Sequence, residues 1–213
     1  MGIISHFFGK ASRQSPLRVL LGALSFEQSA TTHRTVTDPS LRLPAALSIW
    51  ALHLAHRYAE GLEKMVGNQD GGIGAVNAAY DRIASEAAAL AHFWLLRDFL
   101  REDELDDEDE TYIEVLKVAA QLSNTILMKE APLVARKEWI LNRALGYSHA
   151  EKFKSKTLGE QFDAHILEAI GPNASLRTQL AVATYYPIFE SAHYKPFNKS
   201  ARVMYIAHQS DAL

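Results

Sequence analysis

Imidazoles and carboxylates are the side chains best placed to do chemistry in this chain of 213 residues, which holds 9 His and 25 Asp plus Glu. Their most ordered arrangement is His53, His56, Glu60 and Glu63, at i, i+3, i+7 and i+10. In a helix that spacing puts all four on one face. His92 lies opposite the main apolar stripe of the next helical stretch. Imidazole and carboxylate converging from two helices can bind Zn, Fe or a haem. Against this, Ile49 and Leu52 share the first face, and the four groups spread along it, so one ion reaches only neighbouring members. The pattern favours polar surface or interface. His53, His56, Glu60 and His92 remain the ligand-binding set of an alternative reading. In it, a bundle holds a metal, haem or small ligand between two long helices and can be an enzyme.

Other constellations are weaker. Gly71-Gly-Ile-Gly74 precedes a helix N-terminus, where backbone N–H groups can hold phosphate. It lacks the preceding strand of a dinucleotide fingerprint and the Gly-Lys-Ser/Thr of a P-loop. Glu190-Ser-Ala-His193 has the Glu-x-x-His spacing of di-iron bundles, but those use the motif twice. With Pro187 just upstream, a regular helix there is in doubt. There is no Gly-x-Ser-x-Gly, His-Glu-x-x-His or His-Arg-Asp motif. Zero cysteines exclude a disulfide framework, a Cys-ligated zinc site, an iron–sulfur cluster and a cysteine nucleophile. No catalytic set and no cofactor are assigned, and the chain reads as non-enzymatic.

Charge is more informative. Residues 101–130 carry three basic and ten acidic residues, −7, within a total of −3. Eight carboxylates fill nine positions: Glu102, Asp103, Glu104, Asp106, Asp107, Glu108, Asp109 and Glu110, broken only by Leu105. Acids favour a helix N-terminus, which accounts for Asp109 and Glu110. The remainder repel one another and want a counter-charge. One source is internal: Arg136, Lys137, Arg143, Lys152, Lys154 and Lys156 give residues 131–156 a +4 balance. The other is a partner protein with a basic surface, and residues 102–110 are the partner-binding candidates. A near-neutral total argues against non-specific nucleic-acid binding, which needs a basic surplus. Near the C-terminus, Tyr185, Tyr186, Phe189, Tyr194, Phe197 and Tyr205 interleave with His193, Lys195, Lys199, Arg202 and His208. Such a mixture can bind an anion, but core rings with solvated charges is the preferred reading.

These groups must be positioned by helices. Apolar residues recur at the 3.6-residue period nearly throughout, and strand alternation never persists. The patterns predict helices at 16–30, 44–66, 73–101, 111–129, 132–146, 157–170, 175–186 and 198–209, with 31–37 extended. The fold class is therefore all-α: one domain over 1–213, a bundle of seven to nine helices with two long central ones. Trp50 and Trp94 are expected in the core between those two. Ile3, Ile4, Phe7 and Phe8 make residues 1–15 an amphipathic N-terminal arm, preferred over membrane contact through residues 1–10 or a targeting signal. No run of 18 apolar residues exists, and a cytoplasmic location is expected. The function expected is non-catalytic protein–protein interaction of adaptor, chaperone-like or inhibitor/immunity type.

Overall fold

In the computed structural model, residues 14–67, 72–97, 99, 107–131, 138–153 and 157–211 are described. They form α1 (Pro16–Ala23), α2 (Phe26–Thr35), α3 (Pro39–Val66), α4 (Gly72–Ala78), α5 (Tyr80–Leu96), α6 (Asp107–Glu130), α7 (Trp139–Phe153), α8 (Leu158–Ile170), α9 (Leu176–Phe189) and α10 (Lys195–Asp211). A π-helical turn, Glu190–Tyr194, joins α9 to α10, and Ala79 alone separates α4 from α5. The ten segments thus make eight rods, and no strand occurs among the described residues. Residues 1–13 of the N-terminal arm, Gly71 and most of the acidic run lie outside the described residues.

Local signals place most helix ends. Ser15 caps α1 with Pro16 in the first turn, and Thr157 and Glu160 form a reciprocal capping box on α8. Gly67, at φ 67°, ends α3 in a conformation that disfavours any side chain. Elsewhere tertiary packing overrides local preference. Residues 31–35 are helical, not extended. Ser25 and Gln28 cap α2, and Thr31 and Thr35 hydroxyls donate to carbonyls one turn back. The buried Ser29 hydroxyl donates to Ala46 O and ties α2 onto α3. α7 runs through Gly146, because Ala144 and Tyr147 anchor its inner face in the core. α9 continues past Pro187, and the π turn absorbs the disruption.

The core forms around α3 and α5. Every residue from Ile83 to Leu96 is buried. α3 packs against α1, α2, α4, α5, α6, α9 and α10. Two side-chain contacts fix the direction of the pair. Tyr80 at the start of α5 bonds His56 late in α3, whereas His92 reaches Ser123, which bonds Ser48 early in α3. The two long helices are therefore antiparallel. Alanines 84, 87, 88, 89 and 91 let neighbours approach α5 closely.

Trp94 is buried, at 2% exposure. Trp50 is not: it is partly buried at the edge of the core, between Phe26 at 4.7 Å and Phe197 at 4.8 Å. Its position on the α2 and α10 flank of α3 takes it off the α3–α5 seam. The two tryptophans should therefore differ in urea denaturation. Trp94→Ala should cost about 3–5 kcal/mol and Trp50→Ala less than about 2 kcal/mol. Equal losses would show that both rings are core. Gly61→Ala should also destabilise, because a Cβ there meets the Tyr185 hydroxyl.

Candidate functional site

The His/Glu face of α3 is occupied from within the chain. Arg18 of α1 donates from Nη2 to Glu60 Oε1 at 2.5 Å and to Glu63 Oε2 at 2.6 Å. Its Nη1 donates to Asn77 Oδ1 of α4, and its guanidinium lies 4.8 Å over the Tyr80 ring. Ser15 donates to Asp81, so α1 grips the start of α5 at two points. His56 Nδ1 and the Tyr80 hydroxyl are 2.6 Å apart. Burial lowers the pKa of both His53 and His56, so each favours its neutral form. The pattern of four groups on one face is correct. The partner of the two carboxylates is Arg18, which holds a pair that would otherwise repel each other, while His56 pairs with Tyr80. An open pocket of about 400 Å³ borders this cluster, lined by Gln14, Ser15, Arg18, Asn77, Tyr80 and Asp81.

His92 is elsewhere. Twelve residues beyond Tyr80 on α5, it lies about 18 Å along the axis from the His56 contact. Its Nε2 is 2.9 Å from Ser123 Oγ, which is 2.8 Å from Ser48 Oγ. The structure therefore brings His53, His56 and Glu60 together and leaves His92 apart, with no convergence of the four between the long helices. A Ser–His pair is a nucleophile-and-base geometry. This one is sealed, with His92, Ser123 and Ser48 exposed by 1%, 0% and 2%. His92 Nδ1 has no hydrogen-bond partner among the described residues, so no third group orients the ring. Among the described residues, no group of three or more His, Asp or Glu side chains is arranged to hold a metal ion. Glu190 instead pairs with Lys195 at 3.4 Å, and His193 stacks on Phe189 at 4.3 Å.

Of the acidic run, Glu102, Asp103, Glu104 and Asp106 lie outside the described residues, while Asp107 and Glu108 open α6. Glu110 is exposed. Asp109 accepts a hydrogen bond from Arg202 Nη2 of α10 at 2.9 Å. Among the described residues this counter-charge comes from α10, while Arg136, Lys137, Lys154 and Lys156 of the 131–156 segment lie outside the described residues. Arg143 there is engaged by Glu86 at 2.6 Å. The C-terminal rings divide as expected: Tyr186, Phe189, Tyr194, Phe197 and Tyr205 are buried, while Lys195, Lys199 and Arg202 are exposed.

Two polar clusters carry no local sequence signal. Buried Glu86 on α5 accepts from Arg143 Nη2 and, at 3.0 Å, from the Tyr147 hydroxyl, both of α7. Arg143 Nη1 lies 3.3 Å from His165 Nε2 of α8. Asp163, also on α8, has a buried Oδ1 without a hydrogen-bond partner among the described residues. Burial, aided by Glu160, pushes its carboxyl up to about 7. Perturbed carboxyls mark candidate sites, but here the neighbouring Phe162 ring packs into the core against Tyr58 and Tyr186. Comparison with protein-family models, curated proteins and solved structures finds no match.

Two residues should shape stability against pH in opposite directions. Burial lowers His92 from 6.5 to about 3, so the fold disfavours its proton. Stability should fall as pH drops from 6.5 towards 3, by about 1.4 kcal/mol per pH unit from this group. In His92→Leu, Ser48 and Ser123 still satisfy each other. Urea denaturation between pH 6 and 4 should show that much less slope in the variant. Asp163 is raised, so its ionised form opposes folding as pH rises from 3.8 through about 7. Asp163→Asn should stabilise at pH 8 and make little difference at pH 4. A gain that is the same at both pH values would assign the effect to packing instead.

Proposed function

We propose that this protein works by binding another protein, without catalysis of its own, as an adaptor, chaperone-like or inhibitor-type module. The partner presents a basic surface, and the acidic segment from Glu102 to Glu110 faces it. The observation that carries the reading is the outer face of α9. Leu176, Leu180, Ala183, Thr184, Pro187 and Ile188 recur at helical spacing and are exposed, the three large aliphatics by 72%, 59% and 55%. Arg177, also exposed, borders that row, and α9 holds no other charged residue. Contiguous apolar surface of this kind marks interaction sites, whose centres are depleted of charge. The two features have separate physical tasks. The α9 face supplies apolar area and slows dissociation. The carboxylates draw in a basic partner and speed association in a salt-dependent way.

The test starts from a partner captured by cross-linking and purified. Neutralising Asp106, Asp107, Glu108 and Asp109 to Asn or Gln should slow association several-fold and flatten its dependence on ionic strength, as loss of steering does. Leu180→Glu with Ile188→Glu should chiefly raise the dissociation rate. The α9 variant should melt like the parent, because exposed positions contribute little to stability. Equal association rates and equal salt slopes for parent and neutralised variant would reject the acidic segment as the contact. Unchanged dissociation from the α9 variant would reject the helix face.

A further inference from the structure

We propose that the groove between the end of α5 and α10 binds a small, multiply charged phosphate-bearing molecule. Four cations converge there from two elements. Arg97 follows the last residue of α5, and Lys195, Lys199 and Arg202 fall at i, i+4 and i+7 on one face of α10. The other described lining residues are Trp94, Phe99, Asn198 and Val203, none of them a carboxylate. Its volume of about 700 Å³ lies within the range of small-molecule sites and exceeds what a bare ion needs.

The two arginines are held in a way that suits phosphate. The Arg97 guanidinium sits 4.3 Å over the Trp94 ring, and that of Arg202 sits 5.1 Å over Phe99 and 5.7 Å over Tyr112. Arg97 has a further interaction besides the ring, and a guanidinium resting on a ring makes that contact through its face and not through its hydrogen-bonding edges. Those edges match two oxygens of one phosphate. Packing against rings also fixes the side chain before the ligand arrives, which reduces the ordering entropy of binding. The lysines add charge without directional demand, and the Trp94, Phe99 and Val203 surface suits the uncharged body of an organic phosphate. Glu190 holds Lys195 at 3.4 Å and Asp109 holds Arg202 at 2.9 Å, both from outside the groove lining. Asp109 therefore competes with the ligand for Arg202. The site does not depend on the acidic segment having a protein partner.

Isothermal titration calorimetry of the full chain at low salt tests this, with pyrophosphate, ATP, citrate and a single-stranded DNA oligonucleotide as probes. ATP or pyrophosphate should bind saturably at one site. Lys199→Glu, an exposed change, should weaken binding by about tenfold or more, the loss expected when an attractive charge becomes a repulsive one. Arg97→Ala should do the same, and a matching thermal melt shows that the loss is not unfolding. Asp109→Asn should tighten binding several-fold by releasing Arg202. Absence of saturable phosphate binding would overturn the proposal. So would citrate binding as tightly as pyrophosphate, binding of the oligonucleotide alone, or affinity that Lys199→Glu leaves unchanged in a folded protein.

Discussion

Everything in this fold depends on α5 having no solvent face. Every residue from Ile83 to Leu96 is buried, so the helix must be enclosed on all sides. α3, α6, α7, α8 and α10 do this. Alanine at five of those positions lets backbones approach closely, and Phe93, Trp94 and Leu95 fill the space between helices. Enclosure also forces an accounting of polar atoms, since a buried group without a partner is costly. Ser85 donates to Asp81 O one turn back, Glu86 is met by Arg143 and Tyr147, and His92 is met by Ser123. The buried Tyr194 hydroxyl donates to Ala87 O.

Those links decide how the helices sit as well as whether they pack. A seam of Ala and Leu tolerates a slide of one turn, because apolar contact has no direction. A hydrogen bond does not. Three of the polar contacts join α5 to different elements, each at one register: Tyr80 to α3, Glu86 to α7, His92 to α6. The Arg18 cluster does the same for α1, a helix of only 8 residues that could not hold its place through Leu17 and Leu21 alone. The chemistry-bearing residues are thus the ones that position the helices. For His56, Glu60 and Glu63, Tyr80 and Arg18 give the proximity of histidine and carboxylate a structural account.

That explains what was legible in the sequence. Helix ends set by local chemistry were readable: Ser15-Pro16, Gly67, the Thr157–Glu160 box, Gly171. Ends that conflict with local preference were not. Thr31 to Thr35, Gly146 and Pro187 each carry a penalty of about 1 kcal/mol, or about 3 for proline, that burial of the same helix easily offsets. The shared face of His53, His56, Glu60 and Glu63 followed from spacing alone. Its meaning did not, because Arg18 comes from 42 residues before Glu60. Glu86 with Arg143, and Asp109 with Arg202, are likewise pairs across 57 and 93 residues, beyond any local pattern.

The same separation in sequence hides the surface electrostatics. A net charge of −3 suggests a bland exterior. In fact a run of eight carboxylates leads into α6, and α10 presents a basic face to the α6 N-terminus. The Asp109–Arg202 pair bridges the two. Its Arg202 side chain is 46% exposed, so solvent screens the pair and it contributes little to folding stability. An interaction that weak in the folded state can open without disturbing the core beneath it. Tyr112 and Phe99, 5.4 Å apart edge to face, and Tyr205, 4.3 Å from Tyr112, remain packed whichever way Arg202 points. Arg202 and the α6 N-terminus are therefore held side by side by aromatic packing rather than by the Asp109–Arg202 attraction.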